Sequence, residues 1–484
     1  MTATELRAAV VGTLAQRLSP RFLEEHCLVP VSVSDDGALI VAAGVTPDPT
    51  VIDELAWYYE RPVTIIEAPA AEIQAAVMSA QSEASADVRA TDSLVVLSDE
   101  EEQIDDLRAL ANQAPVIKLV NLLILEALRA RASDIHLEAD SDGLQVRYRI
   151  DGVLHEISHP PRQYQAAVLS RVKIMAGLNI AERRLAQDGR IRLKLSDREL
   201  DLRVSITPAL HGESVVLRIL DRGAGVQDLA ELGMPPKVLE GFEHLVRQPH
   251  GIVLVTGPTG SGKTTTLYGA LDRLNQPTVK IVTVEDPVEY QMKRVTQIPI
   301  NPKIGLTFAA ALRSILRHDP DIIMVGEMRD RETAEIAIQA ALTGHLVFSS
   351  LHTNDAPSGV TRMVDMGIEP YLVSATVLGI LAQRLVRVVC DACAIDEPPT
   401  FRRGRGCEVC AGTGYRGRTG IYELMPLSET LRERIVQRAP LAELRAVASA
   451  EGMKSLRDAG WEKAREGITT TDEVIRLTRD EVLG

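Results

Sequence analysis

Apolar and polar residues follow three different patterns along the chain, and each pattern predicts a separate domain. Residues 1–78 combine helix-like periodicity with short apolar runs that are typical of strands. The predicted helices cover 14–23 and 51–59, and the predicted strands cover 29–33, 38–41 and 62–66. We therefore expect a small α/β domain at the start of the chain.

A different composition follows at residues 79–106, where Ser, Ala, Asp and Glu predominate and an acidic run occupies 99–102. Such a segment has too few periodic apolar residues to build a core. We expect a flexible acidic linker here.

Periodic order returns at 107–225. Pro115 suits the first turn of a helix, and apolar residues recur at helical spacing after it. Strict alternation then predicts half-buried strands at 134–138, 144–150 and 191–195. The dipeptides Asp151-Gly152 and Asp188-Gly189 are typical of tight turns. This region predicts a second α/β domain.

From residue 230 onward, continuous apolar runs alternate with helices. The runs cover 252–255, 280–284, 322–325 and 346–348. Strands that are apolar on both faces predict a mostly parallel sheet between helices. After residue 427 the pattern is helical, and its predicted core positions are Leu441, Leu444, Val447 and Leu456.

Length and charge limit the classes of protein that fit. The 484 residues suggest about three domains. The formal net charge of −14 disfavours a chain that coats nucleic acid, because phosphate binding needs a basic face. A basic cluster around 402–418 fits a solvated loop equally well. No apolar stretch approaches the ~20 residues that span a bilayer, and the first residues lack an export signal, so we expect a cytosolic protein.

A glycine-rich segment follows the first continuous apolar run. It consists of Gly257, Pro258, Thr259, Gly260, Ser261, Gly262, Lys263, Thr264 and Thr265. A strand that leads through such a segment into a helix is typical of a phosphate-binding P-loop, whose backbone N–H groups surround phosphate oxygens. Lys263 supplies a positive charge for the β and γ phosphates, and the Thr264 hydroxyl can reach Mg²⁺.

The apolar run at 322–325 ends in Gly326-Glu327. Ligands gather at the carboxyl ends of strands in such sheets, so Glu327 is the candidate that orients or deprotonates the attacking water. Gly326 replaces the acidic residue that commonly holds Mg²⁺ through water. Metal binding must then depend on Thr264 and on other acids.

Glu285 and Asp286 follow another predicted strand, and they are candidates for contacts to the metal or its water. Helix capping is the alternative for them. His345 and His352 lie on either side of a further strand. A lone histidine is usually structural, but this placement favours a hydrogen bond from His352 to the γ-phosphate.

Arginines of the second domain are also candidates, because charge on a transferred phosphoryl group needs guanidinium partners and the P-loop contains none. They are Arg190 in the predicted turn, Arg203 and Arg218. We expect them to act from a neighbouring domain or subunit, and a solvated strand face is the alternative.

Four of the five cysteines form two C-x-x-C pairs, at Cys390, Cys393, Cys407 and Cys410. Two such pairs in a reducing compartment are typical of a tetrahedral zinc site. The loop between the pairs, residues 394–406, is short, and buried free thiols are the alternative.

Four segments together resemble the Walker A, Asp box, Walker B and His box of the secretion and pilus superfamily of P-loop ATPases. They cover 257–265, 283–290, 313–330 and 337–355. Residues 132–138, 187–190 and 466–474, together with the cysteine pairs, extend the resemblance to the type II secretion ATPases, also called protein E of the general secretion pathway. It covers the chain from about residue 107 to its end and, more weakly, residues 1–78.

This resemblance implies an α/β fold with a RecA-like P-loop ATPase domain at 230–484, preceded by a smaller domain at 107–225 that supplies arginines. It implies a homohexamer that hydrolyses ATP between these two domains, with Lys263 binding phosphate, Glu327 as the catalytic carboxylate, and Arg203 and Arg218 approaching the γ-phosphate.

The resemblance also implies a place in the cell. Residues 1–78 would dock onto the cytoplasmic part of an inner-membrane protein, and the hexamer would act on an inner-membrane platform as a peripheral protein of the cytoplasmic face. Hydrolysis by the isolated chain should be slow, because ring interfaces that carry arginines form only on assembly.

Type II protein export is therefore the predicted function, and type IV pilus assembly is the nearest alternative because both motors share the core and the cysteine pairs. A pilus retraction motor is less favoured, since such motors lack those cysteines and the long N-terminal extension. A DNA translocase is disfavoured by the acidic charge, and we expect no nucleic-acid partner. Gly326 leaves open a scaffold that binds nucleotide without hydrolysis.

Overall fold

The computed structural model describes residues 23, 26–34, 36–44, 47–59, 61–70, 73, 94–96, 114–195, 198–221, 225–397 and 401–478. The helix predicted at 14–23 lies outside these residues except for Leu23, and the predicted linker does so except for 94–96. Among the described helices, none combines the length and the apolar character that crossing a membrane requires.

A three-stranded sheet with a helix packed on it forms most of the described part of the N-terminal domain. Its elements are β1 (Leu28–Val33), β2 (Leu39–Ala43), α1 (Pro49–Tyr59) and β3 (Val63–Glu67). Strand β2 lies in the middle, antiparallel to β1 and parallel to β3. Buried Leu39, Val41 and Leu55 join the sheet to the helix, as the apolar periodicity predicts.

The middle domain is an antiparallel sheet with two helices packed on it. Its elements are β4 (Leu94–Val96), α2 (Ala114–Arg129), β5 (Ala132–Ala139), β6 (Leu144–Ile150), β7 (Val153–Ser158), α3 (Arg162–Met175), β8 (Gln187–Leu195), β9 (Arg198–Ala209) and β10 (Gly212–Asp221). The strand order is β4-β8-β9-β10-β5-β6-β7. Val146 and Tyr148 on β6 face the helices, and the Tyr148 hydroxyl donates to the Leu123 carbonyl at 2.7 Å.

Two predictions for this region are corrected. Residues 94–96 of the predicted linker form edge strand β4 against β8, because a ladder of main-chain hydrogen bonds does not require apolar periodicity. Asp188-Gly189 is not a turn but part of β8, and Arg190 lies in that strand too. A Cβ on Gly189 would lie 2.7 Å from the Ala176 carbonyl oxygen, so the glycine permits close packing rather than a turn. Asp151-Gly152 does form the predicted turn, with positive φ at both residues.

A mostly parallel sheet forms the centre of the third domain, in the order β13-β12-β14-β15-β11-β16-β19. Only β19 runs antiparallel to its neighbour among these strands. The strands are β11 (Gly251–Thr256), β12 (Ile281–Glu285), β13 (Val295–Pro299), β14 (Ile322–Val325), β15 (Leu346–Leu351), β16 (Val377–Val389) and β19 (Tyr415–Pro426). A separate hairpin joins β17 (Ala394–Glu397) to β18 (Phe401–Gly404).

Helices cover both faces of this sheet. They are α4 (Pro236–Val246), α5 (Lys263–Leu274), α6 (Phe308–Ile315), α7 (Arg331–Leu342), α8 (Ala356–Asp365), α9 (Pro370–Thr376), α10 (Glu429–Val436), α11 (Leu441–Ala450), α12 (Leu456–Arg465) and α13 (Thr471–Leu477). On β11, Ile252 and Leu254 belong to one core, whereas Val253 and Val255 belong to the core on the opposite face. This explains why the strand is continuously apolar.

The C-terminal helices extend the first of these cores. Leu444 and Leu456 are buried in it, as predicted. Val447 is only partly buried against the core, and Leu441 is half-buried.

Candidate active site

The sheet places the P-loop at its carboxyl edge. Strand β11 lies between β15 and β16, and helix α5 begins at Lys263, directly after the loop. The last residue of β11, Thr256, contacts the segment after β15 through its hydroxyl, which lies 2.7 Å from the Thr353 hydroxyl and accepts from the Thr353 N–H at 2.9 Å. The loop is therefore fixed at its start to the segment that carries His352.

Lys263 folds back onto its own loop. Its Nζ donates to the carbonyl oxygens of Gly257 at 2.8 Å and Pro258 at 3.1 Å, and the residue is only 8% exposed. Burial lowers the pKa of the amine to about 8, while the charge of Glu327 acts in the opposite direction. The hydrogen-bond partners of this buried amine are neutral carbonyl groups. A bound phosphate would give it a partner with a full negative charge.

Glu327 lies where the sequence predicts it, just beyond β14. His352 Nε2 lies 3.0 Å from its Oε2, and Arg329 Nη2 lies 2.6 Å from its Oε1. Burial raises the pKa of this carboxyl, but the hydrogen bonds from Arg329 and His352 outweigh burial, so the pKa lies below its ordinary value. Glu327 is therefore ionised at neutral pH and electrostatically coupled to Lys263.

Glu285 has a different setting from the one we expect for a contact to metal-bound water. It is 2% exposed, and its carboxylate accepts from the hydroxyls of Tyr268 and Thr283 and from Gln297 Nε2. This enclosure raises the pKa of the Tyr268 hydroxyl, chiefly through burial and then through the charge of Glu285. The geometry favours a role in fixing the end of β12, whereas Asp286 is exposed.

The two histidines have separate environments. His345 Nδ1 lies 2.8 Å from the Ala340 carbonyl oxygen and 3.1 Å from the Thr343 hydroxyl, contacts that tie it to the end of α7. His352 faces Glu327 instead. Of the pair, only His352 is joined to the candidate catalytic carboxylate.

The three candidate arginines lie in one row across the middle domain. The register pairs Arg190 of β8 with Arg203 of β9, and Arg203 with Arg218 of β10. Directly paired residues of antiparallel strands share a face of the sheet. Arg203 bonds Glu289 of the third domain at 3.1 Å, and Arg218 bonds Asp134 at 2.9 Å. In this single chain, carboxylates engage both residues that the family resemblance implies.

The four paired cysteines converge at the end of the β16–β19 hairpin. Their sulfur atoms all lie within 4.8 Å of one another, and three of the separations are 3.7, 3.8 and 3.9 Å. Four sulfurs bound tetrahedrally to one zinc ion at about 2.3 Å would lie roughly 3.8 Å apart. The short loop between the pairs is accommodated because it folds into the β17–β18 hairpin.

The electrostatics favour a thiolate at one of these cysteines. Burial by itself raises the pKa of the Cys410 thiol, but N–H groups of Cys407 and Gly414 donate to its sulfur and lower the pKa to about 6. Burial instead raises the pKa of the Cys393 thiol to about 11. Zinc binds thiolates, so Cys410 is the most favourable of its ligands here, and the case for zinc rests on the spacing of the four sulfurs.

Two residues at the site escape the sequence reasoning. Arg329 follows Glu327 by two positions, and its proximity in sequence is the signal that could have found it. Gln383 lies on β16, far along the chain, and contacts the P-loop. The only sequence signal for Gln383 is that an amide side chain interrupts the apolar run of β16.

A family model described as type II/IV secretion system protein matches residues 109–476, and a second model, the MshEN domain, matches residues 3–87. The chain belongs to the type II/IV secretion system protein family. Within this family it is similar to the type II secretion system protein HxcR of Pseudomonas aeruginosa, with 53% identity over 384 residues, 79% of this chain and 82% of that protein.

Two further relatives bear on the function. Type II secretion system protein E of Xanthomonas campestris is 54% identical over 398 residues, 78% of this chain and 70% of its own length. The type IV pilus assembly ATPase PilB of Myxococcus xanthus is 45% identical over 480 residues, 94% of this chain and 85% of its own. The pilus retraction motor PilT with bound ADP superposes with a TM-score of 0.55 and 29% identity, over 76% of this chain and 98% of its own.

These comparisons confirm the predicted family, the α/β fold with a RecA-like ATPase domain, and the enzyme class. As a member of this family the chain is a nucleotide-binding ATPase of type II secretion, and the pilus assembly relative is a less specific match.

Proposed function

We propose that this chain converts ATP hydrolysis at the P-loop into movement that drives type II protein export. One observation carries the proposal: Lys263 at the head of α5 and ionised Glu327 beyond β14 both lie at the carboxyl edge of one parallel sheet, where the charge of Glu327 acts to raise the pKa of Lys263. Phosphoryl transfer uses a positive group to bind the phosphates and a carboxylate to orient the attacking water, and in this proposal the two residues supply them.

The residues divide the chemistry between them. The P-loop N–H groups and Lys263 bind the phosphates, and Glu327 orients the attacking water and accepts its proton. Arg329 and His352 hold Glu327 ionised. In this proposal His352 also donates a hydrogen bond to the γ-phosphate. The exposed Thr264 hydroxyl would hold Mg²⁺, which neutralises charge on the phosphates.

Assembly completes the site in this proposal. Arg203 and Arg218 stabilise the charge that develops on the transferred phosphoryl group, within a homohexamer whose interfaces bring the arginine row to the nucleotide. Their engagement with Glu289 and Asp134 in the single chain supports slow hydrolysis before assembly.

The cellular context is also part of the proposal. The N-terminal domain, residues 1–78, docks onto the cytoplasmic portion of an inner-membrane protein, and the hexamer pushes on an inner-membrane platform from the cytoplasmic face. Zinc bound by Cys390, Cys393, Cys407 and Cys410 would give the end of the long β16–β19 hairpin a rigid tip.

Glu327→Gln in the full chain tests the chemistry. Gln preserves the shape but cannot accept a proton, so kcat should fall at least about a hundredfold, while the Kd for ATP changes little. Steady-state hydrolysis and equilibrium ATP binding measure the two effects. Glu332→Gln, an exposed carboxylate at the start of α7, is the matched control. An unchanged kcat in Glu327→Gln would favour a nucleotide-binding scaffold.

Lys263→Ala in the producing bacterium tests the process. We expect secreted enzymes to accumulate inside the cell while pili still assemble. Loss of pili with normal secretion would instead assign the chain to pilus assembly, and normal secretion together with normal pili would contradict both functions.

A further inference from the structure

We propose that Gln383 is a positioning residue that sets the orientation of the P-loop for phosphate binding. Its side chain is 1% exposed and lies directly beneath the loop. Nε2 donates to the Ser261 carbonyl oxygen at 2.7 Å, and Oε1 accepts from the Thr266 hydroxyl on α5 at 2.7 Å. One amide thus joins strand β16, the loop and the helix that follows it.

Strand register explains why this residue reaches the loop. Strands β11 and β16 are parallel, and Thr256, the last residue of β11, pairs with Ala382. Gln383 is the next residue of β16. Strand β16 therefore extends past the end of β11 at this point, and Gln383 lies beside the P-loop instead of beside β11. The position is determined by the sheet and not by any local motif.

Peptide geometry shows what the contact does. A trans peptide group is planar, and its C=O and N–H point in opposite directions. Because Gln383 holds the Ser261 carbonyl on the side of β16, the N–H of Gly262 in the same peptide must point away from β16. An N–H group of Gly262 that points in this direction faces the concave side of the loop, where the backbone N–H groups of a P-loop surround the phosphate.

Close approach of the two backbones supports the same conclusion. A Cβ on Gly257 would lie 2.4 Å from the Gln383 carbonyl oxygen, and one on Gly262 would lie 2.9 Å from Gln383 Nε2. Both glycines also have positive φ, 149° and 88°. These glycines are therefore required for contact with β16 as well as for the turn.

The contact predicts an effect on binding rather than on the chemical step. Gln383 acts on the nucleotide only through the loop, because its amide bonds go to Ser261 and Thr266. Its loss should therefore weaken nucleotide binding in the ground state and the transition state alike. Such a change raises KM with little effect on kcat. The inference rests on the proposed ATPase function, but it concerns the P-loop alone.

Gln383→Leu in the full chain is the primary test, with ATP binding and steady-state hydrolysis measured separately. We expect Kd and KM to rise about tenfold, because the Ser261 carbonyl loses its partner in a buried site, while kcat changes less than about threefold. Ile380 is buried on the same strand, so Ile380→Val controls for a general loss of packing in β16. It should leave Kd unchanged.

Conservative variants distinguish a role in positioning the loop from a purely structural role, because only the positioning role predicts the following changes in ATP binding. In Gln383→Glu the new carboxyl group can donate to the Ser261 carbonyl oxygen only when it is protonated, so the binding defect relative to wild type should shrink as pH falls. Thr266→Ser, which keeps the hydroxyl, should bind normally, whereas Thr266→Val should weaken binding. Combining Thr266→Val with Gln383→Leu should add less than the sum of the two effects.

The outcomes separate this inference from the proposed function. A folded Gln383→Leu protein with wild-type Kd, alongside normal wild-type hydrolysis, overturns the role of Gln383 alone. ATP binding without hydrolysis by the assembled wild-type chain contradicts the catalytic proposal, and the effect of Gln383→Leu on Kd still decides the inference.

Discussion

At the scale of single residues, burial and hydrogen bonding together determine the charge state of the site before nucleotide arrives. Lys263 loses hydration and its pKa falls to about 8, whereas hydrogen bonds keep the pKa of Glu327 low despite burial. With a pKa of about 8 the amine is still mostly protonated at neutral pH, and the carboxylate is already ionised.

We predict that ATP affinity falls as pH rises through about 8. Below that pH Lys263 is already charged, but above it binding must be accompanied by proton uptake, which costs up to about tenfold in affinity per pH unit. Calorimetry at pH 8 in buffers of different ionisation enthalpy should detect the uptake. Lys263→Arg stays charged at these pH values, so its affinity, although weaker, should lack this dependence. A wild-type Kd that is flat from pH 7 to 9 would contradict the prediction.

At the scale of elements, two local structures depend on contacts between segments that are separated in sequence. The β16–β19 hairpin brings the cysteine pairs together, and the packing of β8 against the end of α3 depends on the absence of a side chain at Gly189. The cysteine cluster depends on its sulfur ligands, whereas the contact at Gly189 depends on the space available for a side chain. The first is tested by removing a ligand and the second by adding a methyl group.

The purified protein should contain one zinc ion per chain. Cys407→Ser should lose the metal and lower Tm, because zinc binding contributes directly to folding of such a site. Cys27→Ser, in the N-terminal domain, is the matched control and should keep its zinc. Metal analysis and thermal melting measure both effects, and full zinc content in Cys407→Ser would sink the assignment.

Gly189→Ala should destabilise the middle domain by about 1–3 kcal/mol, since its Cβ would meet the Ala176 carbonyl oxygen, a backbone atom that cannot rotate away. Gly225→Ala is the control, because a Cβ there meets nothing within 4 Å. Urea unfolding of both variants measures the difference. Equal stability of the two would show that β8 moves away without cost.

At the scale of the whole molecule, the middle and third domains are joined by polar contacts within one chain. Arg203 bonds Glu289, and Asp151 accepts from the Gly417 N–H at 2.9 Å and lies 3.4 Å from Arg418 Nε. Under the proposed mechanism, Arg203 has to leave Glu289 before it can reach the nucleotide.

Glu289→Gln should therefore raise the hydrolysis rate by about two- to fivefold, because a half-buried ion pair of this kind is worth about 1 kcal/mol. Arg203→Ala should lower the rate. Glu335→Gln, which removes an exposed pair with Arg331, should have no effect. Rates are best measured over a range of protein concentrations, since wild-type specific activity should rise with assembly. A slower Glu289→Gln enzyme would mean that the pair supports the active arrangement.

The sequence by itself determined the elements and the local motifs. Apolar periodicity identified the strands and the two-faced parallel sheet, and the P-loop and the cysteine pairs could be identified because their residues are close neighbours whose chemistry depends on short spacing. The position of Glu327 could also be predicted, because a carboxylate at the end of an apolar strand has a predictable place in a parallel sheet.

Only the tertiary structure decided which distant residues meet. Strand register aligned Arg190, Arg203 and Arg218 and placed Gln383 under the P-loop, and packing made Gly189 a point of close contact instead of a turn. The enclosure of Glu285 likewise depends on side chains from other elements. A one-residue change of register would separate these pairs without altering any local pattern, which is the physical reason that the sequence could not reveal them.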